Sequence, residues 1–420
     1  MTARTDGNAL RAQVIGLCIL INMLDGFDIL AMAYTAPALG KAWAISPDRL
    51  GLLFSIGLSG MMLGSMLVGL LADRTGRRPM ILACLLLAAT GMTAAGFAAD
   101  LTGLAVARFM TGLAIGGMLP CINTMVAEFA APGQRSMAVS LMQAGFAIGA
   151  SAGGFASVWL LGQWGWQAVF AAGAILTTVL LPLVYVGMPE SLAFLSRQTG
   201  RTRECQALER RLGLAGTHRA PAEVAVDGGL GALSSFAAPL ILVFMVWFFC
   251  IMTFYFLNSW VPKILADGGL SQAQAVVGGA MLTAGGILSA LGLGFLSLRR
   301  SILEIVVAAT FGSALMTAVF GQIAAAGGPL LVAAFVLGLL TNATQIGIYA
   351  VIPALFPSRI RAGATGLAIG VGRLGSVIGP WVAGILLSEG WAAPSLFLLM
   401  SVPYALAAGL LIALRTWQRY

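Results

Sequence analysis

The chain has 420 residues, of which 59% are apolar and only 9% are charged. Soluble proteins carry about 25% charged residues. A soluble fold of this length could not cover its water-exposed surface with so few charged side chains. A membrane-spanning helix needs about 20 mostly apolar residues, and the apolar fraction is enough for about twelve such helices. The composition excludes soluble domains, secreted disulfide scaffolds, disordered chains and nucleic-acid-binding modules. It indicates an all-α polytopic membrane protein.

Twelve apolar segments follow one another along the chain in two groups of six. The first group lies near 14–39, 48–72, 79–98, 102–128, 136–161 and 167–187. The second group lies near 237–261, 273–296, 302–325, 329–356, 362–387 and 393–414. We therefore predict 12 transmembrane helices in two six-helix bundles, 1–187 and 237–420. The polar stretch 188–236 is predicted to be an exposed cytoplasmic linker with room for one amphipathic surface helix.

The basic residues predict the orientation of the chain in the membrane. With the amino terminus inside, 18 of the 23 Lys and Arg residues fall in cytoplasmic segments. The others are Lys41, Arg49 and Lys263 on the opposite side, and Arg108 and Arg373 within apolar spans. Because Lys and Arg concentrate in cytoplasmic loops, both termini and the linker are predicted to be cytoplasmic. The predicted location is the cell (inner) membrane.

The two predicted bundles share a sequence pattern. Arg135 and Gly149 recur as Arg361 and Gly375, in both cases 226 residues further along the chain. Two matched six-helix halves are typical of secondary transporters, whose binding site lies near the bilayer midplane. This pattern favours a transporter over a sensor or an intramembrane enzyme.

Two acidic residues, Asp25 and Asp28, lie within the first span. A carboxylate at the bilayer centre costs about 2.5–3.5 kcal/mol on insertion scales. The spacing i,i+3 places both on one helix face, about 5–6 Å apart at Cβ, and such a pair favours protonation of one carboxyl group. Asp25 and Asp28 are therefore candidates for proton coupling. The alternative is a buried, hydrogen-bonded pair that only fixes helix packing.

Two arginines lie at a similar depth in other spans. At 1.5 Å per residue, Asp28 and Arg108 both lie about 21 Å from the cytoplasmic face, and Arg373 lies about 17 Å from it. The guanidinium fork binds a carboxylate through two hydrogen bonds, so Arg108 and Arg373 are predicted to hold an anionic substrate. An internal ion pair is the alternative for each arginine.

The seventh span is rich in aromatic residues, including Trp247, Tyr255 and Trp260. These rings either pack within the protein or stack on an aromatic ligand, and both interpretations remain open. Tyr255 and Asn258, at spacing i,i+3, are the better candidates for a binding-site wall. The further polar candidates for the substrate site are Gln143, Asn342 and Gln345.

The segment 69–78 joins the second and third spans on the cytoplasmic side. Asp73 can cap the third helix and pair with arginines across the bundle, which would make the segment a latch that opens during transport. A static capped turn is the alternative. Glu128, at the end of the fourth span, either joins this network or is solvated. The candidate gating residues are Asp73, Arg74, Arg77, Glu128, Arg135 and Arg361.

The cysteines offer neither a disulfide framework nor a metal site. They form no Cys-x-x-Cys pair and have no His neighbours, so we predict small buried thiols. They are Cys18, Cys84, Cys121, Cys205 and Cys250. No metal, cofactor or catalytic cluster is expected, and the chain is not predicted to be an enzyme.

Several short sequences resemble known families. The run GLLADRTGRR at 69–78 resembles the signature between helices 2 and 3 of the major facilitator superfamily. The run LDGFD at 24–28, with APAL at 36–39, resembles the first-helix signature of the aromatic acid/proton symporter family. Further runs similar to that family are RFMTG at 108–112, MPES at 188–191, SWVP at 259–262 and GRLG at 372–375.

The resemblance covers nearly the whole chain. It implies the major facilitator fold and proton-coupled uptake of an aromatic carboxylate of the hydroxybenzoate or phenylpropanoid type. It also implies functional roles at matching positions, which are Asp25, Asp28, Asp73, Arg108, Glu128, Arg361 and Arg373. In the second half, Leu298 stands at the acidic position of the latch, which implies a latch on one side only.

Two other functions remain as alternatives. A proton-driven antiporter that exports amphipathic organic compounds would move protons against its substrate. A non-transporting membrane sensor usually needs a signalling domain, for which 188–236 is too short. We expect a monomer in the lipid bilayer, whose partners are a small aromatic organic acid and protons and not nucleic acid.

Overall fold

The computed structural model describes residues 2–131, 133–212, 237–326, 329–355 and 361–417. Within these residues the chain forms fourteen α-helices and no strand. The first six are α1 (Thr2–Ala42), α2 (Pro47–Thr75), α3 (Arg77–Gly96), α4 (Leu101–Phe129), α5 (Arg135–Trp164) and α6 (Trp166–Gly187). Two short helices follow, α7 (Leu192–Arg197) and α8 (Thr202–Arg211). The last six are α9 (Ala237–Asp267), α10 (Gln272–Leu296), α11 (Ile302–Ala326), α12 (Leu330–Leu355), α13 (Arg361–Ser388) and α14 (Ala393–Trp417).

The twelve long helices confirm the twelve predicted spans. Eleven of them are long and apolar enough to cross a bilayer, and the segment Gly372–Ser388 of α13 is a shorter twelfth. The largest differences from the predicted ends are at α1, which begins at Thr2 rather than near 14, and at α9, which ends at Asp267. Helices extend past their apolar part because backbone hydrogen bonding does not require apolar side chains.

The described part of the predicted linker is not wholly exposed, which corrects that prediction. Leu195, Cys205, Leu208 and Leu212 are buried in the apolar core that also contains the first turns of α1. The guanidinium group of Arg11 donates a hydrogen bond to the Leu212 carbonyl oxygen at 3.3 Å. The amphipathic helix expected here is α8, because one of its faces is buried while its arginines face outward. The rest of the linker lies outside the described residues.

Local signals account for several helix ends. Asp100 precedes α4 and accepts a hydrogen bond from the Gly103 amide at 2.6 Å, which satisfies one free donor of the first turn. Ser271 and Gln274 form a reciprocal capping box at the start of α10. Gly165, with φ 79°, makes the tight turn between α5 and α6, where a side chain would be strained.

The chain divides into two compact units. The first consists of Met1–Asp28, Ser59–Gly149 and Phe170–Val224. The second consists of Ile29–Leu58, Ala150–Val169 and Ala225–Tyr420. These units follow spatial proximity, and the division into 1–187, 188–236 and 237–420 stays a prediction.

Glycines bring helix backbones together within each unit. In the first unit, Gly149 of α5 lies directly against the Met23 carbonyl oxygen of α1. In the second unit, Gly379 of α13 lies in the same way against the Met252 carbonyl oxygen of α9. A Cβ at either glycine would overlap main-chain atoms. Glycine at these two positions therefore allows close helix packing.

Candidate functional site

The first unit holds a row of buried polar side chains on one face of α1. Asn22, Asp25 and Asp28 follow one another at spacing i,i+3, and none is more than 2% exposed. Asp25 Oδ2 and Asp28 Oδ1 are buried without a hydrogen-bond partner among the described residues. A pair that served only to fix packing would have its oxygens hydrogen-bonded, because an unpaired buried carboxylate is costly. This arrangement therefore favours a functional role for the two carboxyl groups over a purely structural one.

Arg108 of α4 lies next to Asp28 but does not bind its carboxylate. Its Nη2 donates to the main-chain carbonyl oxygen of Asp28 at 3.0 Å. Its Nη1 donates to the sulfur of Met92 at 3.7 Å, and its guanidinium carbon lies 5.8 Å from the centre of the Phe170 ring. The side chain is only 5% exposed. A thioether, an aromatic face and one carbonyl are weak partners for a buried cation, so Arg108 retains capacity for an anion.

Gly173 of α6 provides the space around the Asp28 carboxylate. A Cβ at this position would lie 2.9 Å from Asp28 Oδ1 and would overlap the terminal methyl group of Met92. Helices α1, α3, α4 and α6 thus meet around one buried carboxyl group. Because Gly173 has no side chain, α6 can approach the Asp28 carboxyl group closely.

Asn22 and Gln143 connect α1 to α5 beside the two carboxyl groups. Asn22 Nδ2 donates to the Met142 carbonyl oxygen at 2.7 Å and to Gln143 Oε1 at 3.5 Å. Asn22 Oδ1 has no partner among the described residues. The predicted site residue Gln143 is exposed and therefore lies at the edge of this polar row. Asn22 was not predicted from the sequence, although its position one turn before Asp25 was a usable signal.

The second unit contains Arg373 of α13 among aromatic side chains. Its Nη1 is buried without a hydrogen-bond partner among the described residues. The guanidinium group lies near the hydroxyl groups of Tyr255 on α9 and Tyr349 on α12. The Tyr349 ring packs edge-on against Trp247, with the ring centres 4.5 Å apart. The predicted residues Arg373 and Tyr255 are therefore brought together, and Tyr349 joins them although it was not predicted.

The three predicted amide residues of this unit are placed differently. Asn258 donates to Phe254 of its own helix at 2.9 Å, and Asn342 donates to Gly338 at 2.8 Å while its side chain packs on Gly286. Gln345 is 7% exposed, and both its Nε2 and its Oε1 lack partners among the described residues. Gln345 is therefore the only one of the three whose amide hydrogen-bonding groups are all left unused.

Most aromatic residues of α9 serve packing. Trp260 is buried, and its Nε1 donates to the Pro380 carbonyl oxygen at 2.9 Å. Phe256 packs against Phe397 with the ring centres 5.3 Å apart. Trp247 differs because its Nε1 is buried without a partner among the described residues. The packing interpretation therefore holds for Trp260 and Phe256, and stacking on an aromatic ligand stays a prediction.

The predicted latch has a different geometry from the one expected. Asp73 is exposed and pairs with Arg77 at 3.0 Å, and it does not cap α3. The cap comes from Glu190, whose Oε1 accepts hydrogen bonds from the amides of Arg77 at 2.9 Å and Arg78 at 3.2 Å. Gly76, with φ 105°, turns the chain so that these amides point at Glu190. A carboxylate at a helix amino terminus is favoured by both the free N–H groups and the helix dipole.

Glu128 belongs to the same hydrogen-bond network as Glu190 and is not a solvated helix end. It is half-buried and accepts a hydrogen bond from the Ser191 hydroxyl at 2.6 Å. Ser191 in turn caps α7 by accepting from the Phe194 amide. Arg74 and Arg135 are exposed, and the Arg361 side chain lies outside the described part of the chain.

The five cysteines are buried free thiols, as predicted. In the described residues no group of three His, Cys, Asp or Glu side chains is arranged to hold a metal ion. The polar groups of interest are therefore the two carboxyls, the two arginines and the unpaired amide and indole groups.

A polytopic helical protein with buried carboxyl groups beside a buried guanidinium group has the features of a secondary transporter. Residues 16–330 match the model of the Major Facilitator Superfamily, and the chain belongs to this superfamily of membrane transporters. The family confirms the predicted twelve-helix fold, and its members are transporters rather than enzymes.

Proteins of similar sequence include transporters named for aromatic acids. The chain is 31% identical to the gallate transporter of Pseudomonas putida over 410 residues, covering 95% of this chain and 90% of the relative. It is 32% identical to the 3-(3-hydroxy-phenyl)propionate transporter of Escherichia coli, covering 95% and 92%. The solved structure of the proton:xylose symporter XylE of Escherichia coli has a TM-score of 0.75 with 16% identity, covering 96% of this chain and 95% of that one. The structural likeness to XylE supports the fold alone.

Proposed function

We propose that the protein is a proton-coupled symporter that takes up an aromatic carboxylate, of the hydroxybenzoate or phenylpropanoid type, by alternating access. The relatives named as gallate and hydroxyphenylpropionate transporters support this substrate class. The observation that carries the proposal is the juxtaposition of the unpaired Asp28 carboxyl group and the weakly bound Arg108 guanidinium group.

Arg108 is the primary candidate for binding the substrate carboxylate. A buried guanidinium group has five donors, and here one of them donates to an oxygen atom, the Asp28 carbonyl oxygen. A substrate carboxylate can accept two parallel hydrogen bonds from the remaining fork. The thioether of Met92 is a weak acceptor that such an anion would replace.

Asp25 and Asp28 are the candidates for the proton. Each is buried near the middle of α1, where a neutral carboxyl group is far less costly than an ionised one. A proton on either group would remove the repulsion between them and reduce the repulsion toward an incoming anion. Proton binding therefore favours anion binding in the same unit, and anion binding favours proton binding. Symport requires this coupling.

The second unit supplies a further group of substrate-binding candidates. Arg373 offers an unpaired donor, and Tyr255 offers an aromatic face with a hydroxyl group. Gln345 belongs with them because its amide is unpaired, whereas Asn258, Asn342 and Gln143 are proposed only as secondary contacts.

The cytoplasmic network is the proposed gate. The exposed ion pair between Asp73 and Arg77 contributes little to stability, so it can break and re-form during a transport cycle. Glu128, Arg74, Arg135 and Arg361 are proposed to act in the same gate. The protein would be a monomer in the cell (inner) membrane, with both termini in the cytoplasm and the linker 188–236 between two six-helix halves.

Purified protein in liposomes tests the proposal directly. Radiolabelled 4-hydroxybenzoate or 3-(3-hydroxyphenyl)propionate should accumulate when the outside is more acidic than the inside, and an uncoupler should abolish the accumulation. Accumulation driven by the opposite proton gradient would indicate an antiporter. If the protein binds an aromatic acid but no aromatic acid crosses the liposome membrane, the protein is a sensor.

A further inference from the structure

Three side chains of the second unit carry buried polar atoms that have no hydrogen-bond partner among the described residues. They are the Gln345 amide on α12, the Trp247 indole N–H on α9 and Nη1 of Arg373 on α13. Gln345 and Trp247 are 7% and 0% exposed. Unpaired buried polar groups are rare in folded proteins, since each loses its hydrogen bonds to water without replacement. Several unpaired buried polar groups on facing helices therefore indicate a ligand site.

Tyr349 connects these three side chains. It lies on α12 one turn beyond Gln345, and the spacing i,i+4 places both on the same helix face. Its ring packs edge-on against Trp247, and its hydroxyl lies near the Arg373 guanidinium group. Gly372, the residue before Arg373, lies against the Trp247 indole, where no larger residue would fit. The face of α12 that carries Gln345 therefore turns toward the side chains of Trp247 and Arg373.

The chemistry of the Gln345 amide selects its partner. An unpaired amide offers both donors and an acceptor, so a single partner group satisfies both ends only if it donates and accepts. A phenolic hydroxyl does both, whereas a carboxylate accepts only and an aromatic C–H group does neither. Arg373 is a donor only and suits the carboxylate instead. The cluster thus offers an amide for a hydroxyl, a cation for a carboxylate and aromatic faces for a ring.

We propose that Gln345 is the specificity-determining residue for a hydroxyl group on the ring of the transported acid. The inference rests on the proposed function and narrows the substrate class to hydroxylated aromatic acids. An unsubstituted acid would leave both ends of the Gln345 amide buried and unpaired. Sites built around such a hydrogen bond reject the analogue that lacks it far more strongly than sites that sense size alone.

Uptake by liposomes containing the wild-type protein provides the first test. Initial rates are compared for benzoate and for the 2-, 3- and 4-hydroxybenzoates. At least one hydroxylated isomer should be transported with about tenfold or greater efficiency than benzoate. Equal efficiency for benzoate and all three isomers would overturn the inference and leave the proposed function intact. Failure of all four acids and of hydroxyphenylpropionate to cross would instead refute the proposed function.

The variant Gln345→Met provides the second test, because it keeps the side-chain length and removes the polar atoms. The preference for the favoured hydroxybenzoate should fall about tenfold, mainly through better transport of benzoate. Thr341→Val is the matched control, since Thr341 is equally buried on α12 but bonds its own helix at Leu337, and it should keep the wild-type preference. An unchanged preference in a folded Gln345→Met protein would overturn the inference. If that variant does not fold, Gln345→Leu takes its place and the wild-type comparison still decides.

Discussion

Arg108 donates to the main-chain carbonyl oxygen of Asp28 at 3.0 Å, while Asp28 Oδ1 on the same residue has no partner among the described residues. The buried cation therefore lies beside the acidic residue without being neutralised by direct hydrogen bonding to its side chain. A charge-assisted pair between them would be hard to break and would occupy donors that a substrate carboxylate could use. The observed contact keeps both groups available.

The first prediction concerns the proton. Asp28→Asn should abolish substrate accumulation driven by a pH gradient in liposomes, because an amide cannot bind and release a proton at the pH values of the assay. Exchange of substrate across the membrane without a gradient should persist. Asp48→Asn, at the start of α2, is the control and should behave as wild type. Normal pH-driven accumulation by Asp28→Asn would remove Asp28 from the coupling mechanism.

The second prediction concerns the anion. Arg108→Lys should weaken substrate binding at least about tenfold, because an ammonium group cannot form the bidentate fork and is more strongly hydrated. The dissociation constant can be measured by calorimetry or by thermal shift in detergent. Arg210→Lys on the exposed side of α8 should bind normally. If the two variants bind with equal affinity, Arg108 does not contact the substrate.

The third prediction concerns the space beside Asp28. Gly173→Ala adds a methyl group 2.9 Å from Asp28 Oδ1, so the carboxyl group or α6 must shift. Overpacking of this kind costs about 1–3 kcal/mol, which exceeds the gain of up to about 1 kcal/mol from replacing glycine by alanine in a helix. Uptake and thermal stability should both fall.

The control for this change is Gly162→Ala on α5, where a Cβ would meet no atom within 4 Å. That variant should transport normally and be as stable as wild type or slightly more stable. Wild-type uptake by Gly173→Ala would contradict the tight packing around Asp28.

The fourth prediction concerns the cap of α3. Glu190→Ala removes an oxygen that accepts from three amides, those of Arg77, Arg78 and Ser191. Leaving these donors unpaired should destabilise the protein by about 1–3 kcal/mol and lower Tm in detergent. Glu204→Ala, which removes an exposed ion pair with Arg201, should change Tm little. A similar Tm for both variants would show that Glu190 is not a cap.

Much of this architecture could be predicted from the sequence because helices and membranes impose local rules. About twenty apolar residues are needed for each span, so twelve runs predicted twelve helices. The scarcity of charge made Asp25, Asp28, Arg108 and Arg373 conspicuous, and the rise per residue placed them at similar depth. The i,i+3 spacing put the two acidic residues on one face, which the structure confirms.

The partners of these side chains depended on how the helices rotate and approach one another, which no local pattern contains. Asp73 was close enough in sequence to cap α3, yet the cap is Glu190, more than a hundred residues later, because the chain returns to that helix end after α6. Arg108 faces Met92 and Phe170 because glycines allow α6 and its neighbours to pack closely. Likewise, three similar amides were candidates on α9 and α12, and only the tertiary packing left Gln345 without a partner.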